Sequence, residues 1–84
     1  MEEVEIGKVM DFFAKPVVAG ITLSGTLNIG DKIHVKGSTT DMDFTVESMQ
    51  IERVDITEGK PGDLIGLKVP DRVRPGDKVY KVIE

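Results

Sequence analysis

Leu23-Ser24-Gly25-Thr26-Leu27-Asn28-Ile29-Gly30-Asp31-Lys32-Ile33-His34-Val35 is the stretch whose reading decides the fold. It runs as a strand end, a glycine turn, a short extended link, a second turn at Gly30-Asp31 and a new strand. The pattern glycine, aspartate, any residue, aliphatic returns at Gly62-Asp63-Leu64-Ile65 and at Gly76-Asp77-Lys78-Val79. Pro61-Gly62 and Pro75-Gly76 suit the central positions of type II turns, proline presetting φ and glycine supplying a positive one. Gly25, Gly30, Asp31, Pro61, Gly62, Asp63, Pro75, Gly76 and Asp77 are therefore assigned to turns.

The segments between these turns alternate. Val17, Ala19, Ile21 and Leu23 share one phase, as do Ile33 and Val35, and later Ile65, Leu67 and Val69. Lys32, His34 and Lys36 take the opposite face of their strand. Residues 4–13 change phase near Gly7, which predicts a bulge or a close backbone approach there. Residues 37–43 read as a polar loop. Residues 44–56 flip phase twice and predict one long, bulged strand bending round a barrel. Val79 to Ile83 closes the chain, and no segment has a sustained helical period. The expected fold is all-β, a single domain over residues 1–84 forming a six-stranded closed Greek-key β-barrel, since closure removes exposed strand edges.

Composition narrows the function. With 84 residues, one domain is expected. The absence of cysteine removes disulfides and thiolate chemistry. A net charge of −4 argues against a strong non-specific nucleic-acid binder. The acidic start, Met1 to Glu5, lacks a signal-peptide core, and no apolar run approaches the roughly 20 residues of a membrane helix. A cytoplasmic location is expected, with no membrane association.

No catalytic constellation is evident. Gly59-Lys60 is followed by proline, so no phosphate-binding loop is present. His34, the one histidine, reads as a surface residue. Asp41 and Asp43 lack the remaining ligands of a calcium loop. The chain is expected not to be an enzyme, to hold no cofactor or metal, and to take no small-molecule substrate. Lys15, Lys32, Lys36, Lys60, Arg72 and Arg74 lie near loop tips, from which a small barrel engages RNA.

Val17-Val18-Ala19-Gly20, continued by Ser24-Gly25-Thr26-Leu27-Asn28-Ile29-Gly30-Asp31-Lys32-Ile33, resembles the second, β-barrel domain of translation GTPases. Val46-Glu47-Ser48-Met49-Gln50-Ile51 and Glu58-Gly59-Lys60-Pro61-Gly62-Asp63-Leu64-Ile65-Gly66-Leu67 look like the archaeal and eukaryotic elongation factor that delivers aminoacyl-tRNA. Arg74-Pro75-Gly76-Asp77-Lys78-Val79 is similar to the end of the same domain. The resemblance implies a closed barrel and a stand-alone translation accessory module, with tRNA, ribosomal RNA or a translation factor as partner. It places Glu47 where some carriers have a functional glutamate. The acidic pair and aromatic ring of the carriers are replaced by Ile6-Gly7 and Val9. A protein–protein adaptor is the alternative. A third reading, ranked lowest, is a barrel descended from an appended accessory domain of a larger enzyme, since similar barrels occur at the ends of some peptidase-like proteins.

Overall fold

The computed structural model describes residues 2–14 and 17–83. Every regular element among them is a strand: β1 Glu2–Ala14, β2 Val17–Leu23, β3 Leu27–Asn28, β4 Lys32–Lys36, β5 Asp41–Thr45, β6 Met49–Ile51, β7 Val54–Ile56, β8 Glu58–Gly59, β9 Leu64–Lys68 and β10 Lys78–Ile83. No helix is long and apolar enough to cross a membrane. Eight strands form one sheet in the order β5-β4-β10-β1-β2-β9-β6-β7, and β3 pairs with β8 in a second.

Strands whose side chains alternate are strands because alternation gives one face to the core. Ala19, Ile21 and Leu23 of β2 are buried, as are Ile33 and Val35 of β4 and Ile65 and Leu67 of β9. Two bulges bend β1, the central and longest strand. One lies between Glu5 and Gly7, the other between Val9 and Asp11. The first turns both Ile6 and Gly7 inward. A Cβ on Gly7 would come within 2.9 Å of Ile21 Cγ2 and 3.0 Å of the Thr22 carbonyl, so the close approach predicted at the phase change is real.

The three glycine–aspartate turns are one device used three times. Gly30, Gly62 and Gly76 have φ of 92°, 93° and 97°. The Asp31, Asp63 and Asp77 N–H groups donate to the carbonyls of Asn28, Lys60 and Arg74 at 3.1, 3.0 and 3.1 Å. Each aspartate carboxylate accepts in return the N–H three residues back, at 2.8, 2.9 and 2.9 Å. Each turn then clasps one buried residue. Gly30 N–H donates to Val46 O and Val46 N–H to Asp31 O, both at 2.9 Å. Gly62 and Asp63 clasp Leu23 in the same way, at 2.8 and 2.9 Å, and Gly76 and Asp77 clasp Val9, at 2.8 Å each. The turns thus complete the sheet's backbone pairing where its bent strands leave the ladder.

Two expectations are corrected. Residues 44–56 are not one bent strand: β6 and β7 form a hairpin, with Ile51 opposite Val54 and the two turn residues, Glu52 and Arg53, at φ of 51° and 67°. The second phase flip came from reversal of the chain. As a result the sheet is not a closed six-stranded barrel. The hairpin uses the residues that would have reached round to β5, leaving β5 and β7 as its two ends. Both ends are blunted in ways that discourage self-association: β7 has three residues, and β5 carries Asp41 and Asp43.

Candidate functional site

An apolar cleft of about 330 Å³ opens at a seam between the ends of strands β5 and β9. Phe44 and Thr45 at the end of β5 form one wall, and Lys68, Val69 and Pro70 at the end of β9 form the other. Glu47, in the connection from β5 to β6, closes one rim. The cleft exists because β9 runs past the start of β6: Met49 pairs with Leu67, so Lys68 and the residues beyond it have no β6 partner. Val69 is buried and Phe44 half-buried against the core, which gives the cleft its apolar floor. Beside it, β5 pairs with β4 on one side and, among the described residues, with no strand on the other.

On the outer face a polar hollow of about 430 Å³ is lined by Glu3, Lys32, His34, Lys36, Asp43 and Val82. His34 is its centre. Its Nδ1 lies 2.7 Å from Glu3 Oε2, and its Nε2 is hydrogen-bonded to Asp41. Both ring nitrogens are occupied by carboxylates, so the imidazole is not free to activate a nucleophile. The hydrogen bond to Asp41, then that to Glu3, raises the His34 pKa against the opposing effect of burial. Hydrogen bonding to His34 lowers the pKa values of both Glu3 and Asp41. A protonated His34 therefore ties β1 to the edge strand β5 across β10. The sequence placed His34 on the outer face of β4, where it is, but its partners are 31 and 7 residues away and carry no local signal.

The residues expected to contact RNA or a partner are dispersed. Lys15 lies outside the described residues. Lys32 pairs with Asp43 at 3.4 Å, and Lys36 pairs with Glu3 at 3.1 Å and lies over the Tyr80 ring. Lys78 and Lys81 likewise face Glu5 and Asp31. Lys60 and Arg74 begin two of the clasping turns through their main-chain N–H groups. Arg72 sits over Phe12, 6.0 Å from the ring centre. Glu47 is the one member of the set that lines the seam cleft. Phe44, Lys68, Val69 and Pro70 were missed, because a cleft made by the offset of two strand ends is not written in either strand's pattern.

Comparisons with known proteins redirect the functional reading. No family model matches the chain. It is 42% identical over 83 residues to an uncharacterized protease of Methanocaldococcus jannaschii, covering 98% of this chain and 20% of that protein. It is 33% identical over 82 residues to a collagenase of Porphyromonas gingivalis, again covering 20% of the relative. The chain thus spans about a fifth of the length of these curated relatives. Among solved structures, the C-terminal domain of a Geobacillus thermoleovorans protein described as a U32 peptidase superimposes with a TM-score of 0.88 at 16% identity. That match covers 93% of this chain and 99% of the solved one, and it shows a shared fold.

The translation-GTPase resemblance, and with it the role of a translation accessory module or adaptor, is overturned by these relatives. The clasping turns that carried the resemblance serve the fold, and a fold does not by itself imply a function. The expectation that the chain is not an enzyme is overturned as well, since the curated relatives are named as a protease and as collagenases. What this chain resembles across nearly its whole length is about a fifth of proteins named as a protease and as a collagenase.

Proposed function

We propose that this chain is a polypeptide-binding β-module of the U32 peptidase type, serving proteolysis by holding extended chain segments. The observation that carries the reading is the 42% identity with one fifth of a protein named as a protease. The matching fold of a solved peptidase C-terminal domain supports it. So does the site: an apolar cleft beside a free strand edge suits an unfolded polypeptide, which offers backbone hydrogen bonds and side chains together.

Fluorescence anisotropy of the labelled chain, titrated with reduced carboxymethylated casein and with heat-denatured collagen, tests the reading. Saturable binding of at least one unfolded polypeptide, undiminished by excess tRNA, is the expected result. Absence of binding to either polypeptide, or displacement of both by tRNA, overturns it.

A further inference from the structure

We propose that the free edge of β5 accepts an extended polypeptide whose residues alternate between basic and apolar, adding it to the sheet as a further strand. The inference rests on the polypeptide-binding reading above and names the sequence class that the site would take.

The two faces of β5 set the requirement. Asp41, Asp43 and Thr45 point outward and are exposed, whereas Met42 and Phe44 turn inward and pack against the core. A strand added to this edge would place alternate side chains beside one set and then the other. On the outer face it would meet the Asp43 carboxylate and that of Asp41, whose Oδ1 is held by His34 and whose side chain is 80% exposed. The Asp43 side chain is 60% exposed, and its pairing with Lys32 at 3.4 Å is a surface ion pair that an incoming cation displaces at little cost. On the inner side the added strand would run over the seam cleft, whose apolar wall of Phe44, Val69 and Pro70 suits an aliphatic side chain.

A second copy of this chain fits poorly. Antiparallel self-pairing centred on β5 would set Asp43 against Asp43, and parallel in-register pairing would stack both aspartates on their counterparts. Like charges directly opposite are destabilising, and opposite charges are favourable. Lysine or arginine at alternate positions converts the same geometry into attraction.

The test is an amide chemical-shift titration of the ¹⁵N-labelled 84-residue chain. The probe is a blocked Lys-Val-Lys-Val-Lys-Val-Lys peptide, with the Glu-Val-Glu-Val-Glu-Val-Glu peptide as its counterpart. Saturable shifts are expected at residues 41–45 and at Lys68 and Val69 with the basic peptide, and weaker ones with the acidic peptide. Asp43→Lys, an exposed change that leaves the core intact, should weaken the basic peptide about fivefold and strengthen the acidic one. Equal response to both peptides, shifts centred on other strands, or no shift with either overturns the inference. If casein or denatured collagen still binds in those cases, only the edge assignment falls. If neither binds, the broader reading falls too.

Discussion

The Asp77 carboxylate accepts the Arg74 N–H at 2.9 Å from a position only 5% exposed. Its counterparts in the other two clasping turns are less covered: Asp31 is partly buried and also meets Lys81 at 3.2 Å, and the Asp63 bond is exposed. Where water can replace the carboxylate, its loss costs little; where it cannot, an N–H is left buried and unpaired. Asp77→Ala should therefore destabilise the fold by about 1–3 kcal/mol, with Asp63→Ala costing about 0.5–1 kcal/mol and Asp31→Ala falling between them. Urea denaturation of the three variants gives the order directly.

The glycines separate two kinds of requirement. A Cβ on Gly62 meets nothing within 4 Å, so only its φ of 93° resists substitution. A Cβ on Gly37 would overlap the Asp77 carboxylate. Gly62→Asn should be nearly neutral, because asparagine tolerates a left-handed backbone, while Gly62→Val should cost about 1–3 kcal/mol. Gly37→Ala should lower the melting temperature more than Gly62→Ala does.

Glu52 and Arg53 hold the left-handed backbone of a two-residue hairpin turn without the residues that favour it. Each pays a steric penalty that Asn-Gly avoids. The double substitution Glu52→Asn, Arg53→Gly should stabilise the chain by about 1 kcal/mol, raising the melting temperature by about 4–8 °C on thermal denaturation.

The clasp of Glu3, His34 and Asp41 makes stability depend on pH in both directions. His34 has a raised folded pKa, so its contribution is complete below its ordinary value of 6.5 and is lost as pH rises through the higher folded value. Glu3 and Asp41 have lowered folded pKa values, so theirs is complete above 4.5 and 3.8 and is lost as pH falls through the lower folded values. Between about pH 5 and 6 the clasp is fully charged. The Lys32 and Lys36 ammonium groups line the same hollow. The stability of the native chain should fall above that window relative to His34→Gln, and the His34 ring-proton shift should titrate above pH 6.5.

Much of the fold was legible because it is local. β2, β4 and β9 follow from alternation at Ala19 to Leu23, Ile33 to Val35 and Ile65 to Leu67, and the turns from glycine after proline or isoleucine. The β6–β7 hairpin was not, since Glu52-Arg53 gives no turn signal and a reversal changes phase just as a bulge does. Closure was misjudged for a related reason: whether a sheet meets itself depends on how far its end strands reach, which no single strand records. The cleft escaped notice because Phe44 and Val69 are 25 residues apart and look like ordinary core positions. The turn grammar was read correctly as structure and then credited with a family, whereas the chain's sequence likeness is to one fifth of a protein named as a protease.

The central claim is that the open edge of β5 and its cleft are where polypeptide is held. Amide hydrogen exchange of the free chain and of the chain saturated with denatured collagen or casein tests it most directly. The account predicts that exchange slows at residues 41–45, with β1 and β2 amides unchanged. Protection confined to other strands, with β5 exchanging as fast as before, would contradict it.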